Sequence, residues 1–199
     1  MDKKFFIFIG RSGSGKGTQA ELLQEYLKLK GVGSVKHFTT GGGFREFINK
    51  ENNYSSLLSR DIVNRGGLMP NFLAVWNWTN ILIENMESDD SVILDGAPRK
   101  LVELEALSRA VKFYQFKKPV VIYFDVSERW AIKRLEERGR EDDKDVDNIK
   151  KKMEWFEEDV LPCVDFYMKN DWSCDFVHIN GEEDIEKVHE SLTQKIELL

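Results

Sequence analysis

Residues 5–18 constrain what this chain can fold into more than any other stretch. Phe5-Phe6-Ile7-Phe8-Ile9 is an unbroken apolar run, followed at once by Gly10-Arg-Ser-Gly-Ser-Gly-Lys-Gly-Thr18. An apolar run with no polar break suits a strand buried on both faces, as in a parallel sheet covered by helices. After the glycines, Lys16 to Lys30 carries Leu22, Leu23, Tyr26, Leu27 and Leu29 near helical spacing and stops at Gly31. Strand, glycine-rich loop and helix in that order is the context of a phosphate-binding loop. Glycines let the backbone curl so that successive amides point inward at phosphate oxygens, and the helix start adds its positive dipole end. Lys16 can reach a terminal phosphate, and Thr18 offers a hydroxyl to a metal. The plainer reading is a turn that only joins strand to helix, which this context disfavours. The place after Lys16 usually holds Ser or Thr; here it is Gly17, and the hydroxyl arrives one residue later. A dinucleotide fingerprint fails, because Thr18 stands where its third glycine belongs.

The alternation continues along the chain. Val92-Ile93-Leu94, ended by Asp95-Gly96, then Val120 to Phe124 and Phe176 to Ile179 read as buried strands, with Val35 to Phe38 as a fifth. Helical patterns cover about 70–87, 99–115, 127–138, 143–170 and 183–198. This predicts an α/β phosphate-loop fold, a three-layer sandwich with a mostly parallel five-stranded sheet flanked by helices. Ligands should sit at the carboxyl ends of the strands. At 199 residues the chain reads as a single domain, 1–199, and residues 41–66, which break the alternation, suggest a small helical insert.

With 41% hydrophobic residues the chain can bury a sizeable core, and its net charge of −6 argues against a general nucleic-acid or anionic-membrane binder. Two cysteines, Cys163 and Cys174, make neither a disulfide framework nor a four-ligand zinc site, and no zinc is expected. No apolar run is long enough for a membrane span or a signal segment. The expected location is the cytoplasm. Trp155, Phe156, Phe166 and Tyr167 read as core of a long helix, whereas Phe72, Trp76 and Trp78 suit either core packing or a wall for a base.

Gly13-Ser-Gly-Lys-Gly-Thr-Gln19 resembles the phosphate loop of the adenylate kinases and related nucleoside monophosphate kinases. Three further segments match in order. Thr39-Thr-Gly-Gly-Gly-Phe-Arg45 is similar to the element that opens that family's monophosphate-binding helices. Asp95-Gly-Ala-Pro-Arg99 is similar to its Asp-Gly-aromatic-Pro-Arg signature, and Arg138-Gly-Arg-Glu-Asp-Asp143 to the stretch closing its lid.

The resemblance implies reversible phosphoryl transfer from Mg-ATP to AMP giving two ADP, in a short-lid enzyme that works as a monomer on ATP, AMP and ADP, with no nucleic acid or membrane. It implies an insert at about 39–69 and a minimal lid at about 138–143. ATP would meet Gly13, Ser14, Gly15, Lys16, Gly17, Thr18, Arg134 and Arg138. AMP would meet Thr40, Arg45, Gly67, Leu68, Met69, Gly96, Ala97, Pro98, Arg99, Glu103, Arg140 and Lys152. Lys16, Arg99, Arg134, Arg140 and Lys152 would act in catalysis. Thr18 and, through water, Asp95 would hold Mg2+. Arg forks bind phosphate bidentately, although any single Arg by default is a solvated surface residue.

The chain also departs from that pattern. Gly42 or Gly43 replaces an Asp, which predicts a more flexible, poorer helix start. Glu103 replaces a base-reading Gln; a carboxylate only accepts, so it suits guanine better than adenine, or else it points to solvent. Lys152 replaces an Arg. GMP, CMP or UMP as acceptor, and an inactive nucleotide-binding relative, are the alternatives. A kinase of a non-nucleotide acceptor is disfavoured by the Asp95–Arg99 signature. A GTP switch would need Asn-Lys-x-Asp, and the nearest string is Asn49-Lys-Glu-Asn52.

Overall fold

The computed structural model describes residues 3–50, 52–169 and 172–199. Its centre is an all-parallel sheet in the order β2-β3-β1-β4-β5. The strands are β1 (Phe5–Gly10), β2 (Val35–Thr39), β3 (Ser91–Asp95), β4 (Val120–Asp125) and β5 (Asp175–Asn180). These are the five strands expected, each lengthened by a residue or two.

β1 lies in the middle, with Ile7 opposite Leu94 on one side and Val121 on the other. Its side chains alternate between two cores, and both are apolar. Phe5, Ile7 and Ile9 pack with Trp78, Leu107 and Tyr167, under α4 (Asn71–Asn85), α5 (Val102–Phe113) and α8 (Leu161–Met168). Phe6 and Phe8 pack with Ala20, Leu23 and Leu192, under α1 (Lys16–Leu29) and α9 (Ile185–Glu197). Burial on both faces explains why the run has no polar break.

The break in alternation at residues 41–66 is two helices. β2 runs straight into α2 (Thr40–Lys50), and α3 (Tyr54–Asn64) follows, its start capped by Asn53 Oδ1 accepting from Ser56 N at 2.9 Å. The triple glycine does more than loosen α2. A Cβ on Gly43 would lie 2.4 Å from Asn77 Oδ1 and 2.7 Å from Ile81 Cδ1, so the glycine lets α2 approach α4 closely.

α6 (Glu128–Arg138) ends at Gly139, whose φ of 63° is the left-handed conformation that terminates many helices. A single 3₁₀ turn, Glu141–Asp143, leads into α7 (Val146–Trp155). The long helix expected over 143–170 is interrupted. A widened turn at Phe156–Val160 separates α7 from α8. Pro162 has no amide to donate into the helix and so favours this disruption. Asn170, the last residue of that pattern, lies outside the described residues. No helix among the described residues is long and apolar enough to cross a membrane.

The strand order reverses around β1, whose neighbours are β3 and β4. In such sheets the reversal opens a crevice beyond the carboxyl ends. Gly10 ends β1 there, and Asp95 ends β3.

Candidate active site

A cleft of about 630 Å³ lies at that crevice, within the roughly 300–1,000 Å³ usual for ligand pockets. Its floor is the loop between β1 and α1. Gly13 and Gly15 have φ of 88° and 85°, and a Cβ on Gly13 would sit 2.6 Å from the Ala131 carbonyl oxygen. The loop therefore needs glycine for both conformation and space. Gln19 N bonds back to Gly15 O at 3.1 Å, so the amides before it have no partner within α1.

Lys16 Nζ folds over this loop, donating to Gly10 O at 2.9 Å and Arg11 O at 2.7 Å. Burial pushes its pKa down to about 8; Arg99 and Arg138 push the same way, and Asp95 opposes them. Arg140 is also held below its ordinary value, first by burial and then by Arg138 and Arg45. These mutual effects record cations gathered in one place. Arg45, Arg99, Arg134, Arg138, Arg140 and Lys152 all line the cleft.

Four of these cations have partners that hold them. Arg99 donates from Nε to Gly96 O at 2.9 Å and from a terminal nitrogen to Thr40 Oγ1 at 3.2 Å. Thr40 Oγ1 in turn donates to Gly96 O at 2.8 Å. Burial lowers the Arg99 pKa, against the pull of Glu103 and Asp95. Arg138 grips Asp143 Oδ2 from two nitrogens at 2.8 and 2.6 Å, and Lys152 Nζ reaches Asp143 Oδ1 at 2.6 Å. Lys152 Nζ also donates to Asp142 Oδ2 at 2.5 Å. Asp142 and Asp143 thus orient two cations. Arg134 lies over the Trp130 ring at 5.3 Å, with Glu137 3.9 Å away.

Asp95 lines the cleft, with His37 Nε2 4.0 Å from its Oδ2. Thr18 is exposed at the start of α1. Among the described residues no group of three or more His, Cys, Asp or Glu could hold a metal by itself. One carboxylate and one hydroxyl fit magnesium, which keeps several waters and takes its other ligands from phosphates. Cys163 and Cys174 are free and buried, one on α8 and one just before β5.

Of the residues expected in the site, Gly13 to Thr18, Arg45, Gly67, Met69, Asp95, Gly96, Arg99, Arg134, Arg138, Arg140 and Lys152 line the cleft. Thr40, Leu68, Ala97, Pro98 and Glu103 do not. Thr40 acts one step back, on Arg99. Glu103 corrects both expectations for it: it faces neither the cleft nor solvent. It is 2% exposed, and its carboxylate accepts from Arg99 N, Lys100 N and Trp78 Nε1. Trp78 is core, while Trp76 packs edge-on against Phe47.

Sequence reasoning missed His37, Phe44, Trp130 and Ile185 as cleft residues, and Trp155, expected in the core, packs against that core and also lines the cleft. Spacing could have found Trp155, three residues after Lys152 on the same face of α7. Trp155 belongs to a row of donors. Asn148 Nδ2 reaches Asn64 O at 2.9 Å, Lys151 Nζ reaches Arg65 O at 2.9 Å, and Trp155 Nε1 reaches Gly66 O at 3.3 Å. One face of α7 satisfies successive carbonyls at the end of α3.

A parallel sheet whose central strand runs through a glycine-rich loop into a helix, under a ring of arginines and lysines, defines a phosphate-loop protein with a cleft built for polyanions. Comparison with known proteins narrows this. A family model described as adenylate kinase matches residues 8–172. The adenylate kinase of Prochlorococcus marinus (strain AS9601) is 31% identical over 195 residues, covering 98% of this chain and 99% of the relative. Adenylate kinase 1 of Nostoc sp. is 30% identical over 186 residues, covering 94% of this chain and 95% of the relative. The chain belongs to the adenylate kinase family.

Proposed function

We propose that this chain transfers the terminal phosphoryl group of Mg-ATP reversibly to AMP, giving two ADP. The observation that carries the reading is the convergence of six cations besides Lys16 on one phosphate-loop cleft. A triphosphate and an acceptor monophosphate brought together repel strongly, and such a ring of positive charge offsets that repulsion.

In this reading the loop amides and Lys16 take the donor phosphates, with Arg134 and Arg138 beside them. Arg45 and Arg99, on the β2–β3 side of the cleft, take the acceptor phosphate, and Arg140 and Lys152 lie between. An acceptor oxygen bonds to the terminal phosphorus as the bond to the bridging oxygen breaks, and the leaving ADP takes that electron pair. The acceptor phosphate is already anionic at neutral pH, so no general base is required. Catalysis then consists of positioning and charge neutralisation in a site closed to water. Thr18 and, through water, Asp95 would hold magnesium, which would supply further neutralisation of phosphate charge. The helices α2 and α3 form the acceptor-side cover, and residues 138–143 the lid.

The test is a coupled assay of ADP formation from ATP with AMP, GMP, CMP and UMP in parallel. AMP should be the best acceptor. Faster transfer to another monophosphate would reassign the acceptor base, and transfer to none would overturn the reading.

A further inference from the structure

Glu103 is a buried carboxylate that the phosphoryl-transfer mechanism does not use. It stands at the first turn of α5, 2% exposed. Its Oε1 accepts from two consecutive backbone amides, Arg99 N at 2.9 Å and Lys100 N at 3.0 Å. Its Oε2 accepts from the Trp78 indole at 3.1 Å, across to α4. A buried carboxylate is tolerated when donors surround it, and three N–H groups do so here. With both oxygens engaged inside the protein, none is turned toward a nucleobase.

What these bonds hold is the turn between β3 and α5, and that turn carries Arg99. The side chain of Arg99 is clasped at its other end by Gly96 O and Thr40 Oγ1. Backbone and guanidinium are therefore fixed separately, one by Glu103 and the other by Gly96 O and the start of α2. Trp78 is 1% exposed and itself packed into the core, so it orients the carboxylate.

We propose that Glu103 is a positioning residue for Arg99, set by Trp78, and that it takes no part in selecting the acceptor base. The proposal rests on the reading of Arg99 as a ligand of the acceptor phosphate. A glutamine cannot serve all three donors. With its oxygen on the two amides, its NH2 group faces the indole N–H, donor against donor. Removing the indole N–H removes that conflict.

The experiment compares wild type, Glu103→Gln, Trp78→Phe and the double variant. Thermal melting establishes folding, titration gives ATP affinity, and initial rates give the Michaelis constant and turnover with AMP and with GMP. Glu103→Gln should raise the AMP Michaelis constant about tenfold, leave ATP affinity within about twofold, and leave the AMP-to-GMP efficiency ratio unchanged. Trp78→Phe alone should raise the same constant by a smaller factor. The double variant should recover most of what Glu103→Gln loses. A shift in the AMP-to-GMP ratio would make Glu103 a base reader and overturn the proposal. So would an unchanged AMP constant in folded Glu103→Gln, or no rescue by Trp78→Phe. If Glu103→Gln does not fold, an unchanged AMP constant in Trp78→Phe overturns it as well. A wild-type protein that phosphorylates no monophosphate would instead overturn the proposed kinase function.

Discussion

Lys16 and Glu103 are both charged groups with buried contacts, and they stand at opposite ends of legibility. Lys16 is set by its neighbours in sequence: its ammonium meets Gly10 O, Arg11 O and Ser14 Oγ, all within six residues. A loop of that composition between a buried strand and a helix has the context of phosphate binding, so the role is legible in the amino-acid order alone. Lys16→Ala should lower turnover at least about a hundredfold, on the order of 3 kcal/mol of transition-state stabilisation, with the fold intact. The coupled assay on a protein with a wild-type melting profile checks this; near-normal turnover would remove Lys16 from the mechanism. Glu103 gave no such reading. Its indole partner is 25 residues away on another helix, and no local pattern says which side chain a first-turn acid will meet. Only its two short-range bonds, back to Arg99 N and Lys100 N, follow from an acid placed at a helix start.

At the scale of elements, helix contacts decide what the glycines of α2 mean. Read alone, three consecutive glycines predict a loose helix start. In the fold, Gly43 lies against Asn77, and Asn77 Nδ2 donates to Thr40 O at 3.0 Å, holding the first residue of α2. A side chain at position 43 must displace Asn77 and Ile81. Gly43→Ala should therefore destabilise the protein by about 1–3 kcal/mol, despite the better helix propensity of alanine. Chemical denaturation measures it, and a stabilised variant would show that the α2–α4 contact yields easily. α7 carries the same lesson. Its donors at 148, 151 and 155 form a helical row, visible in the sequence, but their acceptors lie 84 to 89 residues earlier.

Across the whole molecule, the two apolar cores on either face of the sheet carry the fold, and two partly buried histidines outside them tie stability to pH. His189 on α9 meets the Tyr26 ring of α1 edge-on at 6.0 Å, and its Nδ1 is buried with no hydrogen-bond partner. Burial lowers its pKa from 6.5. Burial lowers that of His37 too, against Asp95 and Glu21. When the folded pKa lies below the unfolded value, the unfolded chain binds more protons once the pH falls toward 6.5 and below. Stability present at neutral pH is thus lost on the acid side. Urea unfolding at pH 7.5 and pH 5.8 should show that loss in wild type and a smaller one in His189→Gln. Equal losses in the two proteins would mean that His189 titrates alike folded and unfolded.

Some of this protein is written in short stretches of its chain. Apolar runs without polar breaks determined the three central strands, β1, β3 and β4, because a strand covered on both faces needs an apolar side chain at every position. Glycine at 13 and 15 and lysine at 16 determined a phosphate loop, because backbone conformation and helix start are local physics. Family motifs ordered along the chain pointed to most of the cations that line the cleft. The tertiary structure alone decided that Glu103 faces Trp78 and that Gly43 faces Asn77. Each of these depends on a partner brought close by the packing of whole helices. Periodicity tells which face of a helix is apolar, and it carries no information about which residue of a distant helix will stand opposite.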